Sequence, residues 1–597
     1  MAFQPAARRM QGPLAQRRRL REALGLVLEG NPMNSYRPTL YGTRHAVSAG
    51  HYLATMAGFS VLEAGGNAVD AGCAAGMALG VLQPDLVNVA GVAPIVIRMA
   101  DGTTETIAGL GHWPRALPLD LFMTQHGGKI PVGVLRTVVP AAPDAWITAL
   151  QRHGTMGFPE IAQHAIRFAR DGFAMNELLQ FSIASKEEAY RRWPQNAAVF
   201  LPSGRVPQVG DRFVQTDLAA TLQYMSDQAT AAGGRDAGLQ AAHDAFYKGD
   251  IARRIVAFQE AEGGYLSMAD LAEFRSRIEP AVRRMWRGHE IITCGPWCQG
   301  PSLIQALLLV EQIGIAGLAH NSAEYIHVLV EAIKLAMADR EYHFGDPQFI
   351  DVPLDHLLAP GTIARRAADF SAARAYPEMP PPLNDAGGAN IFPRSAAALP
   401  QMDADTSYCC AVDRWGNAFS ATPSDGSAQG PIVPGLGLIP SGRGSQSRPD
   451  PSHPAGVAPG KRPRLTPNPA MVVTKDGGVM PFGTPGGDVQ IQAMLQVLLN
   501  VLHFGMEVQE AIEQPRFASY SFPSSFAPFE YYPGRLAVEA RIPQATRDAL
   551  AARGHEVKDW PDWTWLAGSI EAVKTDPATG MIAAGADPRR PAYAAVI

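Results

Sequence analysis

A threonine standing between a featureless stretch and a β-hairpin constrains this chain more than anything else in its sequence. From Ser407 to Val412, and again from Ala418 to Thr422, the residues are β-branched, aromatic or small. Asp413-Arg414-Trp415-Gly416-Asn417 between them supplies turn chemistry, so the segment predicts a hairpin whose first strand begins at Thr406. Upstream, Ala375 to Met402 is rich in Pro, Ala and Gly and has neither a helix nor a strand period, which predicts an exposed linker. A hydroxyl placed there suits one kind of chemistry: the chain is cut in front of it, and the hydroxyl becomes a nucleophile beside its own new α-amine. Taken alone, a Thr here is better explained as an ordinary strand start, because Thr favours strands. The rest of the chain shifts that balance.

At 597 residues the chain exceeds one ordinary hydrophobic core, which predicts two domains or one large layered domain. Its 47% hydrophobic and 18% charged residues are those of a soluble globular protein, and a net charge of -5 gives no basis for nucleic acid as a partner. The five cysteines are odd in number, and Cys294 to Cys298 matches neither a redox pair nor a zinc knuckle. Reduced, mostly buried thiols of a cytoplasmic protein are therefore expected, with no metal and no cofactor. Residues 1–32 carry Arg8, Arg9, Arg17, Arg18, Arg19 and Arg21 ahead of a short apolar run from Ala23 to Leu28. That run is too short for a signal-peptide core or a membrane helix, so a disordered basic arm, or a start at Met33, is expected. No other stretch is long and apolar enough to span a bilayer.

Along the chain, Gly65-Gly66 closes one helix, and an Ala- and Gly-rich second helix to Leu82 implies close packing between backbones. Ile95–Ile97 and Thr104–Ile107 flank Asp101-Gly102 as strand, turn and strand. Pro140 to Gly172 and Asp217 to Gly264 read as helical; a strand from Arg287 to Cys294 leads to a helix opening at Gly300. Ser322 to Arg340 is the clearest helix, with Ile326, Leu329, Val330, Ile333 and Met337 on one face and His327 beside that face as a helix residue rather than a ligand. Gly435 to Ile439 reads as a strand running into a loop that holds one cation, Arg443. Two strands pair across Lys475 to Gly478, and Gly486-Gly487 precedes an amphipathic helix from Gln490 to Leu502. A glycine pair before a helix leaves backbone N–H groups uncovered, which suits an oxyanion or a phosphate.

These residues together resemble the γ-glutamyltranspeptidase family of N-terminal-nucleophile hydrolases, from about Thr43 onward. The resemblance is carried, in this order, by Ala49-Gly50-His51, Gly65 to Ala71, Glu331 to Arg340, Gly345-Asp346-Pro347, Asp405-Thr406, Gly416-Asn417, Pro459 to Pro463, Pro485-Gly486-Gly487 and Gln514 to Phe517. It implies an α+β fold, the αββα four-layer sandwich, formed jointly by two subunits cut from one precursor before Thr406. The expected division is an arm over 1–32, a large subunit over 33–405 with its linker at 372–405, and a small subunit over 406–597. A dimer of such heterodimers is left open. By the same resemblance Thr406 is the nucleophile, its freed α-amine the base, the N–H groups of Gly486 and Gly487 the oxyanion hole, and Ser424 the hydroxyl that supports the amine. From its residues alone, Ser424 fits a turn after Pro423 equally well.

The departures from the family pattern bear on the substrate. Members that take a free glutamyl group clamp it with an Arg in the large subunit, an Asp after the Gly-rich segment and a Ser-Ser pair. Here the matching positions read Gly109 to Pro114 with no Arg at the family's position, about Ser445, and Leu465-Thr466. Without the carboxylate, charge-assisted hydrogen bonds worth roughly 1.5–3 kcal/mol each are missing, so a free glutamyl head group is not expected. Arg443 remains to hold a substrate carboxylate, with Thr466 as the second substrate-binding candidate; the competing reading of Arg443 is a solvated loop arginine or one bound to the C-terminal segment. The loop from Ser447 to Gly460 is shorter than the family's lid, suggesting a more open site. The expected activity is hydrolysis of a small, carboxylated, non-glutamyl amide, as in oxamate amidohydrolase-like or acylase-like relatives. A γ-glutamyl hydrolase or transferase, and a catalytically silent binding homologue, are the alternatives.

Overall fold

The structure is a computed structural model that describes residues 35–383 and 406–597. The basic arm at 1–32, Asp405 and the linker residues 384–405 lie outside the described residues. Two seven-stranded antiparallel sheets face each other, and helices cover both outer faces. One sheet runs Tyr593–Val596, Ala46–Ala49, Cys409–Val412, Ala418–Ala421, Ile95–Arg98, Thr104–Ile107, Ile278–Glu279. The other runs Leu40–Gly42, Met581–Ala586, Glu571–Asp576, Val479–Gly483, Ala470–Val473, His289–Thr293, Val282–Trp286. This is the expected αββα sandwich.

The predicted hairpin lies at the centre of the first sheet. Cys409, Ala411, Phe419 and Ala421 pack on the helix layer, while Tyr408, Cys410, Val412 and Ala418 fill the space between the sheets. Both faces are buried, which is why the two strands read as almost continuously apolar instead of alternating. Asp413 fixes the turn by accepting the N–H groups of Trp415 (2.9 Å) and Asn417 (3.0 Å), and its other oxygen accepts the Ala68 N–H at 2.9 Å. The turn thereby caps the helix Ala68–Leu82, whose own N-cap Asn67 forms a reciprocal capping box with Asp70. Every residue of that helix is buried. A Cβ at Gly72 would lie 2.0 Å from the Phe419 ring, so the small residues do permit the close helix-to-sheet approach expected of them.

Most local expectations hold. The strands Ile95–Arg98 and Thr104–Ile107 pair antiparallel, Ala470–Val473 pairs with Val479–Gly483, and helices span Gly300–Ile313 and Gln490–Leu502. Ser322 caps the helix Ala323–His343 by accepting the Tyr325 N–H at 3.2 Å. That helix is not one-faced, however. It is buried around almost its whole circumference, because Lys334 pairs with Glu331, Asp339 with Arg366 and Arg340 with Asp488 inside the fold. Buried charges are tolerated when paired, and a stripe of apolar residues cannot reveal such pairs. Gly435 to Ile439 is not a strand either; Val433 N–H donates to Leu438 O at 2.9 Å and closes a turn. The proposed linker is anchored in its first part: Tyr376 N–H donates to Glu331, and Met379 N–H to the Tyr531 hydroxyl. Among the described residues no helix is long and apolar enough to cross a membrane.

Candidate active site

The hairpin register itself brings two hydroxyls together. Cys409 faces Ala421, and Ser407 N–H donates to Pro423 O at 3.0 Å, so continuing the register sets Thr406 opposite Ser424. The spacing of eighteen residues is thus a cross-strand pairing, and Thr406 Oγ1 lies 2.6 Å from Ser424 Oγ. Ser424 is held from its far side by backbone pairing with Val92, at 3.0 and 3.2 Å. Both residues are fully buried in the uncut chain.

Two arginines bracket this pair. Arg443 Nη2 donates to Ser424 Oγ, its Nε stands 4.0 Å from Asp425, and its guanidinium lies 5.6 Å from the Phe526 ring centroid. It is buried, so the solvated-loop reading of Arg443 does not hold. Burial raises the Asp425 carboxyl, and the Arg443 charge opposes that rise. Arg590 Nη1 reaches the Thr406 carbonyl oxygen at 3.5 Å, and its Nη2 donates to Trp565 O at 3.3 Å. Nearby, burial pushes the Asp85 carboxyl up to about 6, against the pull of Lys186 and Arg590.

The glycine turn follows a strand of the facing sheet and is supported from that same sheet. Gly486 and Gly487 both have positive φ, 126° and 58°, a conformation that side chains strain. Among the described residues no acceptor takes either N–H, as an oxyanion site requires. Gln299 Nε2 donates both to Gly487 O (2.9 Å) and to Thr466 O (2.7 Å). A Cβ at Gly487 would lie 3.3 Å from Phe526, the ring beneath Arg443. The turn, Phe526, Arg443, Ser424 and Thr406 therefore form one continuous set of contacts. Thr466 belongs to the supporting frame: its hydroxyl accepts from Gln446 Nε2 at 2.9 Å. The expectation of a more open site meets closed geometry, since Thr406, Ser424, Arg443, Thr466 and both glycines are buried in the single chain.

Sequence reasoning missed Gln299, Arg590, Asp425 and Gln446. Only Asp425 had a local signal, its position directly after Ser424; the others arrive through contacts 184, 188 and 20 residues apart. All five cysteines are buried free thiols, as expected. Among the described residues His327, Glu331 and His555 bring three ligand-type atoms within 4.8 Å of one another. Lys334 Nζ already sits 2.7 Å from Glu331, and His327 is engaged by Ser371 O and by His555, both at 2.8 Å. The Lys334 ammonium answers the Glu331 charge, and His327 is buried on its helix as a packed residue.

The chain is similar to known proteins along most of its length. A family profile described as Gamma-glutamyltranspeptidase matches residues 54–597. An Acylase ACY 1 proenzyme from Pseudomonas sp. (strain SE83) is 31% identical, over 90% of this chain and 90% of its own length. An oxamate amidohydrolase proenzyme from Klebsiella pneumoniae is 27% identical over 91% of this chain and 96% of its own. Among solved structures, cephalosporin acylase from Bacillus halodurans superposes with a TM-score of 0.82 at 26% identity, covering 96% of this chain and 99% of that one.

Proposed function

Because the chain belongs to the γ-glutamyltranspeptidase family, we propose that it is an autoprocessing amide hydrolase whose nucleophile is Thr406, acting on a small carboxylated amide that is not γ-glutamyl. The observation that carries this reading is the 2.6 Å contact between the Thr406 and Ser424 hydroxyls at the start of a buried strand. In processing, Thr406 Oγ attacks the carbonyl of the preceding residue, the C–N bond breaks as the ester forms, and water then hydrolyses the ester. This frees an α-amine on the same residue, with an ordinary pKa of about 7.7–8.0. Toward substrate, that amine takes the Oγ proton as Oγ attacks the amide carbonyl and returns it to the leaving nitrogen as the C–N bond breaks; water, giving its proton to the same amine, then cleaves the ester, releases the acid and restores Oγ–H. The N–H groups of Gly486 and Gly487 receive the oxyanion, and Ser424 orients the nucleophile and its amine.

Arg443 supplies a guanidinium for the substrate carboxylate, with Thr466 in the supporting wall. The named relatives fit this substrate class: one is an acylase and one acts on oxamate, a small amide carrying a carboxylate. Ser445 and Leu465-Thr466 stand where glutamyl-handling members have a carboxylate and two hydroxyls, which disfavours a free ammonium in the pocket. Five buried thiols support a reducing, cytoplasmic setting. The test is a denaturing gel combined with a substrate panel. Wild type should run as two fragments and Thr406→Ala as one. Oxamate-like and acyl-amide carboxylates should be turned over in preference to γ-glutamyl anilide. An active enzyme that runs as one band removes the N-terminal nucleophile, and equal turnover of γ-glutamyl anilide with glycylglycine as an efficient acceptor removes the substrate assignment.

A further inference from the structure

A cationic cavity of about 110 Å³ opens beside the large-subunit segment that carries Trp113. Arg115, Arg275, Arg277 and Arg462 line it, opposed among the lining side chains by the carboxylates of Glu273 and Asp346. Arg115 is paired with Glu273 at 2.5 Å, while Arg462 Nη2 bonds both Asp346 and Glu279 at 2.8 Å. Arg275 and Arg277 make no ion pair among the described residues. Arg275 and Arg277 are exposed at this cavity, so a ligand oxygen can reach their guanidinium N–H groups. Arg115 and Arg277 also converge on His112, whose pKa falls mainly through burial and further through those two charges.

From this arrangement we propose that the cavity is a binding site for a small oxyanion, carboxylate or phosphate, separate from the Thr406 centre. Excess positive charge, planar donor forks and a wall formed by Phe274 suit oxygen pairs better than a cation or an apolar group. The separation follows from consecutive residues. Trp113 packs toward the Arg443 turn, where a Cβ on Gly444 would lie 2.4 Å from its ring, and donates to Ser447 at 2.9 Å. His112, its neighbour, lines the cavity beside Phe274.

The test titrates the processed protein calorimetrically with inorganic phosphate and, separately, with succinate, at matched ionic strength in chloride. At least one of the two should saturate, and the tighter binder names the ligand source. Arg277→Glu should weaken that event about tenfold or more. Arg277 is exposed and outside the core, so this variant should keep the wild-type melting temperature. Arg443→Ala should leave the same event in place. The proposal is overturned if neither anion saturates, if Arg277→Glu binds as wild type does, or if Arg443→Ala removes the event.

Discussion

At the scale of single residues, Arg443 carries two demands at once. Its Nη2 donates to Ser424, the hydroxyl facing Thr406, and the same guanidinium is the cation proposed to meet a substrate carboxylate. The two roles separate by substrate. Arg443→Ala should lower kcat/KM on a carboxylated amide by about thirtyfold more than on the same amide with the carboxylate removed, corresponding to roughly 2 kcal/mol for one charge-assisted pair. Any loss common to both substrates reports the Ser424 contact. Arg443→Lys should recover little of the carboxylate-specific part, since a point charge lacks the planar fork. Equal losses on the two substrates would make Arg443 a support for Ser424 and nothing more.

At the scale of elements, the Gly486-Gly487 turn, the proposed oxyanion site, is held by a residue from another strand-helix junction. Gln299 opens the helix Gly300–Ile313, and its single amide ties Gly487 O and Thr466 O together. Gln299→Glu preserves shape but cannot donate, so two buried carbonyls lose their partner at about 1–3 kcal/mol each. The turn should then loosen, and kcat should fall about 10- to 100-fold with KM little changed, because the N–H groups act on charge that develops only in the transition state. Steady-state kinetics on the processed variant check this; a rise in KM at constant kcat would place Gln299 in ground-state binding. The contrast with Ser424 shows what a sequence can and cannot carry. Ser424 was legible because a hairpin converts sequence distance into register. The helix Gln490–Leu502 and the strand pair on either side of Lys475 to Gly478 were legible for the same local reason. Gln299, Arg590 and the ion pairs Asp339–Arg366 and Arg340–Asp488 were not, since each depends on a contact between distant elements. Gly435 to Ile439 misled because alternating Gly and Leu imitates a strand period while building a turn.

At the scale of the whole molecule, the proposed cut divides the chain but not the architecture. In one sheet Cys409–Val412 sits between Ala46–Ala49 and its own hairpin partner, and Tyr593–Val596 pairs with the other edge of Ala46–Ala49. In the facing sheet His289–Thr293 pairs with Ala470–Val473, and Leu40–Gly42 with Met581–Ala586. The core between the sheets mixes Val96, Ile292 and Trp297 with Tyr408, Met471 and Val573. Neither fragment retains a complete sheet or a complete core, and separating them would expose unpaired strand edges along with that apolar surface. The two fragments expected on a denaturing gel should therefore elute together under native conditions and unfold in one cooperative transition. Expressed apart, neither should fold alone. Size-exclusion chromatography of the processed enzyme tests this directly: two native species of fragment size would mean that the interleaved strands contribute far less to association than their burial implies.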